Sequence, residues 1–447
     1  MEKNNAFFLE RSASYESSAR SYSRKFPIAV KKAKGVVLED VEGKTYIDFL
    51  CGAGTLALGH NDDAVNRALI EYISSDAPLH TLDLITPAKD AFAETLFSTF
   101  PEEFRKNAKI QFCAPAGTDA IDAAIKLCRI ATGRRTVISF SGGYHGMGQG
   151  PLSLMGNLHA KRNINGLSND VQFFPYPYVY RPAFGVKGCE GVDIACSYFE
   201  RMLKDPESGI VEPACVVIEA IQGEGGVIPA PKRFLQTVRR VTKELGIPLV
   251  LDEVQAGIGR SGDFYAFEDS GIIPDCICIS KAVGGSQPMA IMAYNKELDK
   301  WDAGTHAGTF RGTTLAMVAG NALMQRVNTP AFLSDVKRKG QIFLDHFEAL
   351  KKECPIIGDV RGRGMMLGIE IVDPKTPEDC CGAKTGGGKI AAELQKTCFE
   401  NGLIMEKGGR DGAVMRCLTA LSIEDKFLNK GIDILTESIK KVNKKYA

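Results

Sequence analysis

Apolar residues in this chain fall into two rhythms, and the change from one to the other outlines the architecture. Between about residues 76 and 329, short apolar runs alternate with segments of helical spacing. The runs Ile110-Gln111-Phe112, Val137-Ile138-Ser139-Phe140, Cys215-Val216-Val217-Ile218-Glu219, Leu249-Val250-Leu251-Asp252, Cys276-Ile277-Cys278-Ile279 and Ala290-Ile291-Met292-Ala293 have the length of buried strands. Between them, Lys232 to Leu245 sets Phe234, Leu235, Val238, Val241 and Leu245 on one side of a helix. Strand and helix in alternation predict an α/β fold with a mostly parallel sheet covered by helices.

On either side the pattern changes. Residues 1 to about 75 hold a polar arm and then a strand pair, Gly35 to Asp40 and Lys44 to Asp48, with Glu42-Gly43 as the turn signal. After about 330 a long amphipathic helix runs through Leu344, Phe347 and Leu350, followed by Gly-rich turns and the strand-like Met365 to Ile371. Pro377 to Lys389, with Cys380-Cys381 and three consecutive glycines, reads as a mobile surface loop. At 447 residues the chain exceeds what one core usually supports. We therefore divide it into an arm and part of a small domain (1–75), a large domain (76–329) and the rest of the small domain (330–447).

Composition narrows the function. Lys and Arg number 55 against 54 Asp and Glu, which gives no electrostatic footprint for nucleic acid or an anionic membrane. The apolar patch Ala6 to Leu9 is too brief for a signal-peptide core, and nowhere do about eighteen apolar residues run together. Thirteen cysteines without zinc spacing read as reduced thiols, so a cytoplasmic protein with no metal and with small-molecule partners is expected.

Two strand ends carry the chemistry. Asp252 closes one apolar run, and Lys281 follows another behind Ser280 and ahead of Gly284-Gly285. Pyridoxal phosphate needs such a pair, a lysine for the Schiff base and a buried carboxylate to keep the ring nitrogen protonated. Gln255 is placed to hydrogen-bond the cofactor's phenolic oxygen. Ala114 to Asp119 follows a strand and opens a helix, where backbone N–H groups at Gly117 and the Thr118 hydroxyl suit a phosphate, although Thr118 or Asp119 also suits a plain helix cap. Tyr144, among glycines after the next strand, is a candidate to stack on the ring, with a structural aromatic as the alternative. His145 reads as a structural residue of that loop.

These residues bring the chain close to a known family. Leu251 to Arg260 with Ser280-Lys281-Ala282, Gly117-Thr118, Tyr144-His145-Gly146, Gln222 to Gly226 and Gly308-Thr309-Phe310 resemble, in order, the landmarks of the class III (omega) aminotransferases. The resemblance implies pyridoxal-phosphate-dependent transferase fold type I: a large domain with a mostly parallel seven-stranded sheet, and a smaller α+β domain built from both termini. It implies cofactor contacts from Gly117, Thr118, Tyr144, His145, Glu219, Asp252, Gln255 and Lys281. It also implies a homodimer with shared active sites, in which Thr309 reaches the phosphate of the partner's cofactor. Glu224 looks like a gate that pairs with Arg416 while a terminal amine reacts and then frees it for the α-carboxylate of glutamate or 2-oxoglutarate. The chain departs from the family at Thr419-Ala420-Leu421, where Pro-Pro-Leu is usual, and at Thr313-Thr314.

Residues 16–24, 51–60, 79–83 and 306–312 are similar to the branch that moves the γ-amino group of L-2,4-diaminobutyrate to 2-oxoglutarate. Tyr22, Gly54 and Thr55 would then lie near the substrate. Ornithine, 4-aminobutyrate or taurine as donor, or an aminomutase reaction, are the alternatives on the same scaffold.

Overall fold

In a computed structural model that describes residues 3–447, the apolar runs of the middle region lie side by side in one seven-stranded sheet. Its order is Ala108–Phe112, Ile291–Asn295, Cys276–Ile279, Leu249–Asp252, Pro213–Ile218, Thr136–Phe140 and Val171–Phe174. Ile291–Asn295 pairs antiparallel with both neighbours, and the other pairings are parallel. The strands Thr136–Phe140, Pro213–Ile218, Leu249–Asp252 and Cys276–Ile279 are buried along their whole length. Covered on both faces, they carry apolar residues at nearly every position instead of alternately.

Successive side chains part to the two faces. Val217, Val250, Cys276 and Cys278 pack with Ala120, Ala124 and Cys128 of the helix Gly117–Thr132. Here cysteine and alanine act as small apolar residues that let the helix lie close to the sheet. Val216, Leu249, Leu251 and Ile277 join a larger core that includes Phe234, Leu235, Val238 and Val241 of the helix Lys232–Glu244. Each such side chain contributes about 1.5–3 kcal/mol on burial. Val171–Phe174 escaped the sequence reading because it is an edge strand, with only Phe174 buried.

Two smaller sheets flank this one. Val30–Lys34, Val37–Asp40, Thr45–Asp48 and Leu403–Ile404 form the first, so segments from both ends of the chain share a sheet. The expected hairpin is present, with Leu38 opposite Tyr46. Ile357–Arg363, Met366–Ile371, Val414–Cys417 and Glu406–Gly408 form the second, and the long helix is Pro330–Lys351. The segment 377–387 is a surface loop as expected, with Pro377 to Cys380 exposed, and parts of it are anchored. Cys381 and Ala383 are buried, the Asp379 carboxylate accepts both their backbone N–H groups, and a helix begins at Gly388. Among the described residues no helix is long and apolar enough to cross a membrane.

Arg260 joins the three parts. Its guanidinium is 1% exposed and has no carboxylate partner among the described residues; it donates to the carbonyls of Thr419, Met365 at 3.2 Å and Gly54 at 3.4 Å. Burial pulls its pKa down to about 10, so it stays charged at neutral pH. Arg260→Met should strand these carbonyls at roughly 1–3 kcal/mol each. Thermal unfolding should then fall by about 5 °C or more; an unchanged Tm would contradict this role.

Candidate active site

The chemistry-bearing residues cluster at the carboxyl ends of the parallel strands, where open α/β sheets place their ligand crevice. Asp252 is the last residue of the central strand, Glu219 follows Ile218 on one side, and Lys281 follows Ile279 and Ser280 on the other. A cavity of about 310 Å³ is lined by Gly117, Thr118, Tyr144, His145, Glu219, Glu224, Asp252, Gln255 and Lys281. A larger cleft, about 620 Å³, lies beside Pro248 and Asp275 at the amino ends of the strands, and none of these residues borders it.

Burial governs the electrostatics. Asp252 is 4% exposed, with Oδ2 2.7 Å from Nδ1 of His145 and Oδ1 accepting the Val254 N–H at 3.0 Å. Burial works against charge on His145, but the hydrogen bond and charge of Asp252 outweigh it and raise the imidazole pKa. Glu219 accepts the backbone N–H groups of Tyr144 at 3.0 Å and Gly223 at 2.9 Å, while burial lifts its carboxyl to about 7. The partly buried Lys281 amine sits below its ordinary pKa, again because burial disfavours the charged form. That shift favours a neutral, nucleophilic amine. Lys281 also adopts a left-handed backbone, φ 52°, a conformation costly enough in a residue with a Cβ to point to function.

Asp252 has an acidic neighbour with a different outlook. Glu253, fully buried, accepts the backbone N–H groups of Ala266 and Phe267, and burial raises its carboxyl to about 8. It does not line the cavity. Of the two acids, Asp252 alone faces a ligand there.

The cavity wall matches the functional groups of pyridoxal phosphate. A Cβ on Gly117 would lie 2.7 Å from Val254 Cγ1, so the helix opening presses closely on the segment after Asp252. Asp119 accepts the Ala116 N–H and supplies the cap, while the Thr118 hydroxyl accepts the Gly148 N–H and keeps its own proton to donate. Gln255 donates through Nε2 to the Ala53 carbonyl at 3.2 Å, and its buried Oε1 has no partner. A Cβ on Gly223 would lie 1.8 Å from that oxygen. A phosphate cradle, a buried acid and an amine are the set the cofactor requires, and the Gln255 amide lines the same cavity.

On the substrate side, Glu224 Oε1 pairs with Arg416 Nη2 at 2.8 Å, and Arg416 Nε and Nη1 are buried without partners. Gly408 leaves room for this guanidinium, since a Cβ there would lie 2.7 Å from Nε. The unusual Thr419 is fixed by its own bonds, its hydroxyl donating to the Asp48 carbonyl and its carbonyl accepting from Arg260.

Five of the expected residues lie outside the cavity lining, among them Arg416, which reaches it only through Glu224. Tyr22 stands half-exposed in the short helix Tyr22–Lys25, and Gly54 and Thr55 belong to the loop whose Ala53 carbonyl holds Gln255. Thr309 is exposed, with its carbonyl bonded to His80 Nε2 at 2.7 Å. Met147 and Val254 line the cavity and escaped the sequence reading, as did Glu406, 2% exposed, which lies outside the lining and directly opposite Arg416. No local signal marks that register: a turn at Gly408-Gly409 would set Glu406 opposite Asp411, whereas the hairpin is centred on Asp411.

A parallel sheet with a lysine and a buried acid at adjacent strand ends defines a vitamin B6 transferase scaffold. The model of the family aminotransferase class-III matches residues 18–439, and the chain belongs to that pyridoxal-phosphate-dependent family. Among its relatives, the diaminobutyrate--2-oxoglutarate aminotransferase of Rhizobium meliloti is 49% identical, covering 99% of this chain and 94% of the relative. The enzyme of the same name from Haemophilus influenzae is also 49% identical, covering 97% and 95%. In fold, the chain is similar to a transaminase from the marine bacterium Virgibacillus, with a TM-score of 0.86 at 22% identity over 98% of this chain and all of the other. The ornithine aminotransferase of Toxoplasma gondii gives 0.82 at 21% identity, covering 99% and 96%.

Glu219 makes the site sensitive to pH. A carboxyl raised from 4.5 to about 7 favours the folded chain most below pH 4.5, and that contribution is lost as pH rises to 7. Glu219→Gln removes this loss. In cofactor-free protein, the Tm of the variant should therefore gain on that of the wild type between pH 5 and pH 8; a constant offset would contradict the shift.

Proposed function

We propose that this aminotransferase moves the γ-amino group of L-2,4-diaminobutyrate to 2-oxoglutarate, giving L-aspartate 4-semialdehyde and L-glutamate, reversibly. The relatives that carry this activity in their names match almost the whole chain at 49% identity. The observation that carries the reading is the convergence of Lys281, Asp252 and Glu224, which pairs with Arg416, on one cavity.

Pyridoxal phosphate, when bound, supplies an aldehyde for the amine and a protonated ring that withdraws electrons from the substrate carbon. The helix start at Gly117 and the Thr118 hydroxyl would hold its phosphate, and Tyr144 would offer its ring with an aromatic face. Asp252 keeps a proton on the ring nitrogen, steadied by His145, while Gln255 meets the phenolic oxygen and Glu219 fixes the loops around it. Lys281, whose amine is neutral enough to attack and basic enough to accept a proton, carries the proton lost from the substrate carbon.

The Glu224–Arg416 pair lets one pocket take two unlike partners. With a terminal amine in place, Glu224 neutralises the buried guanidinium, which would be costly to leave unpaired. With glutamate or 2-oxoglutarate, Glu224, 36% exposed, swings toward water and the α-carboxylate takes its place. In this reading the large domain (76–329) supplies Glu224 and the small domain (1–75 with 330–447) supplies Arg416.

The active unit in this reading is a homodimer. Leu79, Leu82, Leu84, Ile85 and Phe310 are each at least half exposed, and the His80–Thr309 and Asp83–Arg311 contacts bring the two segments together. Such a patch calls for a cover. A second copy would supply it, and the exposed Thr309 would reach the partner's phosphate. Thirteen unpaired thiols support a reducing, cytoplasmic setting.

Single-turnover conversion of the bound cofactor to its amine form, followed by absorbance, tests the donor. L-2,4-Diaminobutyrate should react fastest, ahead of ornithine, 4-aminobutyrate and taurine, with Lys281→Ala inert throughout. Diaminobutyrate ranking last, or a fully active Lys281→Ala, would contradict the assignment.

A further inference from the structure

Three strands of the second small sheet align Arg361, Gly368 and Arg416 in one row, each directly opposite the next. Residues paired in this way share a face, and the middle position of the row is bare. The turn that carries Glu224 sits on it: a Cβ on Gly368 would lie 3.1 Å from Val227 Cβ, and one on Gly226 would lie 3.1 Å from the Gly409 Cα. The Gly409 N–H also donates to the Glu224 carbonyl at 2.9 Å. Arg416 takes the Glu224 carboxylate from one side of that seat at 2.8 Å. From the other side, Arg361 donates through Nε to the Val227 carbonyl at 2.9 Å and through Nη2 to the Gly226 carbonyl at 2.6 Å. Its Nη1 is spent on Asp359 and Glu370, each at 2.8 Å, and the two carboxylates fix the guanidinium in place.

This turn needs a fastener. Val227 is fully buried and left-handed, φ 52°, a conformation costly for a β-branched side chain, and Gly226 before it has φ 119°. Within the turn, the N–H groups of Gly226 and Val227 both reach the Gly223 carbonyl at 3.1 Å. A backbone in so rare a shape persists only where its surroundings fix it. We propose that Arg361, which lies outside the cavity lining, is a positioning residue for the gate: its grip on Gly226 and Val227 holds Glu224 where it can close on Arg416. The inference rests on the reading of Glu224 as a gate given above. Loosening the turn costs most in the half-reaction that needs the gate closed, that of a terminal amine, because Arg416 is then left unpaired. Glutamate and 2-oxoglutarate need the gate open and lose little.

The test measures, in holoenzyme, the ratio of kcat/KM for the half-reaction with L-2,4-diaminobutyrate to that for the half-reaction with L-glutamate. Arg361→Lys keeps a charge between Asp359 and Glu370 but loses the planar fork. The ratio should fall about 10-fold through diaminobutyrate, with glutamate within about 3-fold of wild type. Gly368→Ala leaves Arg361 in place and pushes Val227 from its seat, so it should move the ratio the same way; should Arg361→Lys not fold, the outcomes are read from this variant. In a Glu224→Ala background, where the ratio is already low, neither change should lower it further, because both act through that carboxylate. A merely structural role would weaken both half-reactions alike and would add to the loss of Glu224. An unchanged ratio, an equal loss with both substrates, or an undiminished effect in the Glu224→Ala background overturns the inference while leaving the gate standing. A Glu224→Ala ratio equal to that of wild type overturns the gate and the inference together. Wild-type enzyme inert toward diaminobutyrate overturns the donor assignment alone, and the ratio is then read with the terminal amine that does react.

Discussion

A carboxylate buried at the end of the central strand is the constraint around which the site is organised. Asp252 has almost no access to water and must be compensated from within, so it takes the Nδ1 of His145 and the Val254 N–H. His145 belongs to the loop after Thr136–Phe140, two strands away, and Glu219, from the strand between, holds that same loop by the Tyr144 N–H. Three strand ends are thereby locked to one another, and Lys281 is presented from a fourth. The strained backbone of Lys281 is tolerated because the sheet on one side and the following turn on the other leave it no alternative.

Much of this was legible in the sequence, for a physical reason. Strands buried on both faces are continuously apolar, so Leu249–Asp252 and Cys276–Ile279 announced themselves to the residue, and their polar ends marked the site. Helices such as Lys232–Glu244 carry a sharp apolar stripe. What was hidden depends on contacts between distant parts of the chain. Val171–Phe174 has one buried residue and so no clear rhythm. The segment 377–387 looks polar and glycine-rich, yet Cys381 and Ala383 find cover that nothing local foretells. The fit of Gly223 against Gln255 likewise joins segments thirty-two positions apart.

Charge reaches the candidate site from distant parts of the chain, since Glu224 lies just beyond the strand Pro213–Ile218 and pairs with Arg416 of another sheet. Arg416 and Glu406 sit on a hairpin of the second small sheet, and Lys25 comes from the N-terminal arm. Arg260 ties the loop at Gly54 and the segment at Thr419 to the strand end that carries Asp252.

The central claim is that Asp252 keeps the cofactor's ring nitrogen protonated. Nitrogen-15 NMR of protein loaded with ring-labelled pyridoxal phosphate reads that proton directly. At pH 8 the wild type should show the chemical shift of a protonated pyridine nitrogen and Asp252→Asn that of an unprotonated one. An unprotonated nitrogen in the wild type, or the same shift in both proteins, would contradict the account.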